Sequence, residues 1–207
     1  MVHQMKLSYF PVRGYGEPAR LMLIHAGVKF EDHVVQLADW AALKPTTPFG
    51  QLPVLELPNG IQIAQSLSIY KYIGSEYGFA GVNTTEAALI SSIAEFVKEF
   101  DTKTGNYFRM EIGFLQGDKK AEYENVVKPA IALFFPVFTK WIRESGSGYL
   151  TRNLSYADFF AADKLSNVVS MCEKAAITWP EITAYVNRIY NLPSIKEHIA
   201  HRPKSIY

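Results

Sequence analysis

The sequence predicts an α/β domain over residues 1–78, followed by an all-α domain over residues 85–207. Apolar residues recur with mixed strand and helix spacing before residue 78, and with helical spacing after residue 85. The segment 79–84 between the two patterns has the sequence F-A-G-V-N-T, which is typical of a linker. A chain of 207 residues is long enough to bury the cores of two small domains.

The first domain is predicted to begin with a strand, a helix and a second strand. Met5–Phe10 has strand character and leads into a Pro-Val-Arg-Gly loop. The helix covers Glu17–Ala26, because Pro18 suits a first turn and Gly27 suits the residue that ends a helix. Phe30–Gln36 is rich in β-forming residues. These elements make a βαβ unit, after which a short helix or loop is expected.

A hairpin and a helix complete the first domain. Val54–Leu57 and Ile61–Ala64 flank Pro58-Asn59-Gly60, and Asn-Gly favours a tight hairpin turn because it tolerates positive φ. Ser66 is then expected to cap a helix that ends near Gly78. A βαβ unit followed by a ββα unit is the thioredoxin-like arrangement, and we predict that fold for this domain.

The second domain is predicted to contain two long helices and several shorter ones. The first long helix covers Thr85–Gly113 and has one apolar face. The second covers Asp118–Glu144 and is expected to bend at Pro129 and Pro136. Ser145–Gly148 is expected to end the second long helix, and the capping box at Ser155–Asp158 is expected to start the next one. Two last short helices are expected to start at Pro180 and at the capping box Ser194–Glu197.

Composition and charge argue against several classes of partner. With a net charge of +1, the scattered cations Arg13, Arg20 and Lys29 form no basic patch for a nucleic acid. The amino terminus lacks the apolar core of a signal peptide, and no 18-residue window is free of charge and apolar throughout. The one cysteine, Cys172, cannot form an internal disulfide. We therefore expect a cytoplasmic protein without a membrane span, a bound metal or a permanently bound cofactor.

Four features carry candidate chemistry, and each also has an ordinary structural explanation. Tyr9 ends the first strand, where a tyrosine usually belongs to a core or an interface. Leu52-Pro53 starts a strand, but such a proline in a thioredoxin-like domain is often cis and leaves backbone groups for a peptide ligand. Gln65-Ser66 opens a helix, where Ser66 suits a cap and free N–H groups suit a carboxylate. Trp40 suits packing and Lys44 suits solubility, but together they could instead cover a small bound peptide and donate to its terminal carboxylate.

Taken together, these segments resemble the sigma class of glutathione transferases, in particular its nematode branch. The resemblance covers essentially the whole chain and implies a thioredoxin-like domain that binds glutathione, with an all-α domain that lines the pocket for the second substrate. It rests on Tyr9-Phe10, Arg13-Gly14, Asp39-Trp40, Pro48–Leu55, Ala64-Gln65-Ser66, Ser155-x-x-Asp158 and Arg202-Pro203.

The resemblance implies a role for each matching residue. Tyr9 would be the catalytic residue, donating its hydroxyl hydrogen to the sulfur of the co-substrate glutathione. The backbone of Leu52, beside a cis Pro53, would pair with the cysteinyl segment. The glycyl end would contact Trp40 and Lys44, with Gln51 nearby, and the γ-glutamyl end would contact Gln65 and Ser66. The full set of glutathione-binding residues implied is Tyr9, Trp40, Lys44, Gly50, Gln51, Leu52, Pro53, Gln65 and Ser66.

A tyrosine hydroxyl is sufficient for this chemistry on energetic grounds. A cysteine thiol has a pKa near 8.5, so it is mostly protonated at pH 7. One hydrogen bond to a charged acceptor is worth roughly 1.5–3 kcal/mol, which lowers that pKa by about one to two units. The tyrosine itself stays protonated at pH 7 and therefore remains a donor.

The second substrate is expected to be a small apolar electrophile, as in detoxification. The resemblance also implies a homodimer, in which an acidic residue of the second domain reaches the partner's glutathione; Glu99 matches best, with Glu95 and Lys98 close by. Tyr15 stands where vertebrate sigma prostaglandin synthases carry a basic residue. The candidate pocket residues, each of which suits a core equally well, are Phe10, Val12, Tyr15, Tyr107, Phe108 and Tyr207.

Other functions on the same fold make different demands on the sequence. A redox protein needs a thiol in the first strand–helix loop, and residues 11–17 contain none. A carrier of haem or another hydrophobic ligand, or a glutathione-dependent prostaglandin isomerase, is compatible with the chain. We expect conjugation of glutathione because the whole set of glutathione residues is present.

Overall fold

The structure is a computed structural model that describes residues 4–202, without the side chain of Glu173. Its backbone contacts divide the chain into two compact units. The first unit contains residues 4–79 and 193–202, and the second contains residues 80–192. The segment 193–202 therefore joins the first unit, whereas the sequence pattern assigns it to the helical domain.

The first unit is a four-stranded mixed sheet with helices, in the predicted thioredoxin-like order. The strand order is β2-β1-β3-β4, with β1 and β2 parallel and the other pairs antiparallel. A 3₁₀ turn at Lys44–Thr46 follows α2. The elements are β1 (Met5–Tyr9), α1 (Glu17–His25), β2 (Phe30–Val34), α2 (Leu37–Leu43), β3 (Val54–Glu56), β4 (Gln62–Ala64) and α3 (Ser66–Tyr77).

The core of the first unit forms where apolar side chains of β1 and β3 meet the buried faces of α1 and α3. Leu7 and Leu55 lie opposite each other in the antiparallel register, and both are fully buried. Removing side chains of this size from water stabilises the fold by about 1.5–3 kcal/mol each. The helices contribute the fully buried residues Ala19, Leu21, Met22, Leu23, Ile69, Tyr70 and Ile73.

The second unit is built from helices throughout the part of the chain that the structure describes. Its centre is α7, where every residue from Tyr156 to Val168 is buried. α7 packs against α4 and α9. Within residues 4–202, no helix combines the length and the apolar character needed to cross a membrane. The helices are α4 (Thr84–Glu111), α5 (Lys119–Glu122), α6 (Lys128–Ser145), α7 (Tyr156–Met171), α8 (Glu173–Thr178) and α9 (Pro180–Tyr190), while α10 (Lys196–His201) belongs to the first unit.

The helix predicted over Asp118–Glu144 is interrupted by a π-helical turn at Tyr123–Val127. In that turn the backbone N–H of Lys128 bonds the carbonyl of Tyr123, one residue further back than in an α-helix. Pro129, which follows, has no N–H to donate, and its ring would crowd the carbonyl four residues earlier. A wider turn at this point removes that conflict, whereas the sequence pattern predicts only a bend.

Helix starts follow the predicted caps in one place and depart from them in another. Ser155 and Asp158 form the expected capping box at the start of α7, and Asp158 also accepts a bond from the N–H of Leu150 at 2.8 Å. Burial raises the pKa of Asp158 to about 6, although these hydrogen bonds oppose the rise.

Ser194 does not cap α10, which begins at Lys196. Its hydroxyl instead lies 2.6 Å from Nδ1 of His25 on α1.

Candidate active site

The sheet register brings three predicted site residues to the same end of neighbouring strands. Ser8 of β1 lies opposite Val54 of β3, so Tyr9 and Pro53 are the next residues on these two strands. Gln65 directly follows the β4 residue that pairs with Val54. Neighbouring strands lie about 4.8 Å apart, so the three positions span about 10 Å. The peptide bond before Pro53 is cis, as the sequence analysis expects.

Tyr9 is held at this edge by its backbone and by its hydroxyl. The side chain is 7% exposed, and its carbonyl accepts a bond from the N–H of Val35 at 2.8 Å. The hydroxyl oxygen accepts a bond from the N–H of Tyr15 at 3.0 Å. Because the oxygen is the acceptor, the hydrogen that the hydroxyl carries is not used in this bond.

Two glycines leave room for the Tyr9 ring. A Cβ atom built on Gly16 would lie 2.5 Å from Cδ1 of that ring, and one built on Gly14 would collide with the hydroxyl. Gly14 also has a positive φ of 40°, which suits a residue without a side chain. The Arg-Gly-Tyr-Gly sequence is therefore the part of the loop that lets the backbone close over the ring.

A second tyrosine fixes the other side of the same loop. The hydroxyl of Tyr70, on α3, donates to the carbonyl of Tyr15 at 2.6 Å. Tyr70 is fully buried, and its position depends on the helix that carries it. Tyr15 is thus bonded to Tyr9 through its N–H and to Tyr70 through its carbonyl.

The start of α3 presents backbone N–H groups beside two glutamines. Gln65 occupies the cap position with φ 70° and ψ 120°, and it is the one non-glycine with positive φ among the described residues. Its side-chain amide donates to the side-chain carbonyl of Gln51 at 3.0 Å. Ser66 is the first helical residue and is buried, so it is not the cap that the sequence pattern predicts. The first N–H groups of a helix lack partners within it and attract anions.

The predicted glycyl-end residues lie around α2. The ring of Trp40 is half-buried and packs edge-on against Phe10, with 5.4 Å between the ring centroids. Phe10 also contacts the ring of Tyr9 at 5.8 Å, so these three rings form a continuous row. Lys44 is exposed, and its Cε would lie 3.3 Å from a Cβ atom built on Gly50. A glycine at position 50 therefore lets this lysine pass close to the backbone.

The candidate residues for the second-substrate pocket fall into different parts of the structure. Val12 lines a cavity of about 140 Å³ in the first unit, together with the side chains of Glu17, Arg20 and Arg202. Tyr107 and Phe108 belong to α4 in the second unit, and Phe108 is 1% exposed. A ring this deeply buried presents almost no surface to a ligand. Tyr207 lies outside the described residues.

Tyr107 lies in a cluster that also contains the cysteine. Burial raises the pKa of the Cys172 thiol to about 11, and the neighbouring carboxylate of Glu111 acts in the same direction, against a hydrogen bond from Tyr107. Burial likewise raises the pKa of the Tyr107 hydroxyl well above its ordinary value. A thiol with such a pKa is fully protonated at pH 7 and is a poor nucleophile.

Glu99, the candidate cross-subunit residue, points to solvent from α4. Its carboxylate is 58% exposed and lies 3.9 Å from the ammonium group of Lys103, one helical turn later. An exposed pair at this distance contributes little to stability. The side chain is therefore accessible for another contact.

A buried ion network connects α1 to the segment that contains α10. Glu17 is 2% exposed and accepts bonds from Arg202 at 2.7 Å, His198 at 3.0 Å and Arg20 at 3.3 Å. Arg20 also binds both carboxylate oxygens of Asp32, at 3.0 and 2.9 Å. Burial alone would raise the pKa of Glu17, but the bonds from His198 and Arg202 and their charges lower it to about 2.

Sequence reasoning did not assign roles to Tyr70 or to the glycine at position 16, nor to the Glu17 network. The two glycines that flank Tyr15 were the available signal for a ring packed under the loop. No short-range pattern indicates Tyr70, which lies 55 residues from its acceptor. Across residues 4–202, no cluster of three histidine, cysteine, aspartate or glutamate side chains is arranged to hold a metal ion.

Comparisons with known proteins place this geometry in a family. Residues 5–75 match the model of the glutathione S-transferase N-terminal domain, and residues 106–202 match that of the C-terminal domain. Glutathione S-transferase 1 of Ascaris suum is 40% identical over 205 residues, which cover 99% of each chain.

Two solved structures bear on class and assembly. Monomeric Na-GST-3, a glutathione S-transferase of Necator americanus, has a TM-score of 0.92 and 34% identity, covering 99% of this chain and all of that one. A Nu-class transferase of Haemonchus contortus has a TM-score of 0.89 and 36% identity, with both chains fully covered. The predicted fold class is confirmed by these matches. The chain belongs to the glutathione S-transferase family of enzymes.

Proposed function

We propose that this enzyme conjugates glutathione to small apolar electrophiles and that Tyr9 stabilises the reacting thiolate. The observation that carries the proposal is the hydrogen bond from the N–H of Tyr15 to the Tyr9 hydroxyl oxygen at 3.0 Å. This bond fixes the position of the oxygen, which accepts the bond, so the hydroxyl acts here as an acceptor and not as a donor. It also polarises the hydroxyl, because a hydrogen bond accepted by an O–H group strengthens the bond that the group donates.

In the proposed reaction Tyr9 donates a hydrogen bond and transfers no proton. The thiol of glutathione loses its proton to solvent, and the thiolate accepts the hydrogen bond from Tyr9. The sulfur then forms a bond to the electrophilic carbon, and with an aryl halide the halide leaves as an anion. Tyr9 keeps its proton throughout, since its role is to stabilise negative charge on sulfur.

The glutathione site follows from the edge that Tyr9, Pro53 and Gln65 share. An extended tripeptide spans about 10 Å, the distance covered by three neighbouring strand positions. The N–H groups at the start of α3, with the side chain of Ser66, would hold the γ-glutamyl carboxylate. The backbone of Leu52 would pair with the cysteinyl segment. Trp40, Lys44, Gly50 and Gln51 would surround the glycyl end.

Within the first unit, the pocket for the second substrate is proposed to use Val12 and Tyr15. Phe10 is better explained as a support for Trp40, given its edge-on contact at 5.4 Å. Phe108 is left out of this set because it is 1% exposed. We assign the chain to the nematode sigma-like group on its sequence motifs, although its structural relatives include a Nu-class transferase.

The working unit is proposed to be a homodimer in which Glu99 reaches the partner's glutathione. Its support is the exposure of Glu99 on the long helix α4, where a carboxylate is free to face a second subunit. One relative of similar structure is monomeric, so the fold itself does not require a dimer.

Replacement of Tyr9 by phenylalanine tests the proposed function. The loss of one hydrogen bond to a charged sulfur, worth roughly 1.5–3 kcal/mol, predicts a loss of about 10- to 150-fold in kcat for conjugation with an aryl halide. Glutathione affinity should be largely retained, and the midpoint of the pH–rate profile should move upward. Tyr77→Phe is the matched control, because Tyr77 belongs to the same unit and its hydroxyl lies 4.0 Å from the sulfur of Met5.

Two outcomes would contradict this function. If Tyr9→Phe had wild-type turnover and an unchanged pH profile, Tyr9 would not be the thiolate donor. If the wild-type protein bound haem or another apolar ligand but did not conjugate any electrophile, a carrier function would replace catalysis.

A further inference from the structure

Residues 10–16 form the loop between β1 and α1, and a side chain of α3 bonds to this loop. Tyr15 accepts a bond through its carbonyl from the hydroxyl of Tyr70 at 2.6 Å. The same residue donates its N–H to the hydroxyl of Tyr9 at 3.0 Å. The three tyrosines therefore form a chain that runs from α3 through the loop to the end of β1.

We propose that Tyr70 is a positioning residue, which holds Tyr15 so that its N–H points at the Tyr9 hydroxyl and keeps that hydroxyl aimed at the thiolate. The inference rests on the proposed function, because it assigns Tyr70 a part in the same thiolate-stabilising step. Tyr70 acts through Tyr15 and Tyr9 and contacts neither the sulfur nor the electrophile.

Burial makes the position of the Tyr70 hydroxyl well defined. The residue is fully buried on α3, four residues after Ser66. A short hydrogen bond from a buried donor restricts the carbonyl that it binds, and the N–H of Tyr15 is linked to that carbonyl through the φ and ψ angles of the same residue. One helix thus supplies both the proposed carboxylate site, at its first turn, and the restraint on the loop, at its second.

The surroundings of Tyr9 explain why such a restraint matters. Gly14 and Gly16 allow the loop to lie against the ring, and glycine has the widest range of backbone conformations. Backbone bonds from the N–H groups of Gly16 and Glu17 to the carbonyl of Arg13, at 3.1 and 2.8 Å, close this loop but do not involve the N–H or the carbonyl of Tyr15. The bond from Tyr70 adds a restraint from α3 at the carbonyl of Tyr15, between the two glycines.

The test compares four proteins: wild type, Tyr9→Phe, Tyr70→Phe and the double variant. The readout is the pKa of enzyme-bound glutathione, followed by the ultraviolet absorbance of the thiolate as pH is varied. Tyr70→Phe should raise this pKa by about half a unit to one unit and lower kcat at pH 6.5 by about 3- to 10-fold. The KM for glutathione should change by less than about twofold, since the groups that bind its two ends are untouched.

The double variant separates positioning from general structural damage. If Tyr70 acts through Tyr9, Tyr70→Phe should cost nothing further in the Tyr9→Phe background. An equal loss in both backgrounds would overturn the inference. Tyr77→Phe, on the same helix, should match wild type in both the pKa and kcat.

Nuclear magnetic resonance of the ligand-free protein supplies a second measurement. The amide proton of Tyr15 should shift in Tyr70→Phe and stay in place in Tyr77→Phe. If wild type and Tyr9→Phe behave as proposed but Tyr70→Phe is indistinguishable from Tyr77→Phe, only the role of Tyr70 fails. If the wild-type protein shows no Tyr9-dependent thiolate, the proposed function fails and this inference fails with it.

Discussion

Replacement of Glu17 by glutamine should remove a contribution to stability whose pH range follows from the structure. The carboxylate is 2% exposed and accepts bonds from Arg202, His198 and Arg20. Burial alone would raise the pKa of Glu17, but the hydrogen bonds and charges of His198 and Arg202 lower it from 4.5 to about 2. At about 1.36 kcal/mol per unit, ionised Glu17 stabilises the folded state by roughly 3 kcal/mol at pH 7.

The sign of the pH dependence follows from the lowered pKa. The unfolded chain takes up the proton first as pH falls, so the contribution is complete above about pH 5 and is lost as pH falls towards 2. At pH 3 about half of the contribution should remain. Glu17→Gln should therefore be less stable than wild type by about 3 kcal/mol at pH 7, and the two proteins should converge in acid.

Urea unfolding at a series of pH values from 7 to 3 measures this difference. Glu124→Gln is the matched control, because Glu124 has a partner at 2.7 Å in Lys128 but its side chain is exposed, and an exposed pair contributes little. If the wild-type and Glu17→Gln proteins lost stability in parallel below pH 5, the buried network would not be the source of the effect.

Three further predictions concern the site and its assembly. Ser66→Ala should raise the KM for glutathione by about 10-fold or more with kcat unchanged, as expected for a contact made in both ground and transition states; a fall in kcat with normal binding would refute it. Gly16→Ala should reduce the free energy of unfolding by about 1–3 kcal/mol and lower turnover, because the new Cβ would lie 2.5 Å from the Tyr9 ring; unchanged stability and kcat would show that the loop adapts. Sedimentation at micromolar concentration should give twice the 23.3 kDa chain mass, and Glu99→Gln should weaken glutathione binding without dissociating the dimer; a fully active monomer would contradict both.

Much of the fold could be predicted because its signals are local. The Asn-Gly pair marked the hairpin between β3 and β4, and the Ser155–Asp158 box marked the start of α7. Errors arose where a distant partner competed with a local pattern. Ser194 has the spacing of a cap, but its hydroxyl bonds His25, which lies 169 residues away in the sequence. The π-helical turn before Pro129 was missed because proline predicts a disturbance without predicting its form.

The candidate site shows the same division between local and long-range information. The sequence motifs single out Tyr9, Pro53 and Gln65, and the register then explains why they share one edge of the sheet. Tyr70 was not predictable, because a tyrosine with apolar neighbours on a helix usually belongs to the core. Only the position of its hydroxyl, 2.6 Å from the Tyr15 carbonyl, distinguishes it.

The pairing of Glu17 with Arg202 means that the first unit is not a continuous stretch of chain. A fragment that stopped at Phe79 would lack two of the three groups that donate hydrogen bonds to the carboxylate of Glu17. During synthesis, residues 4–79 must wait until residue 202 has left the ribosome before His198 and Arg202 become available. Synthesis of the first unit therefore begins before that of the second unit, residues 80–192, but is completed after it.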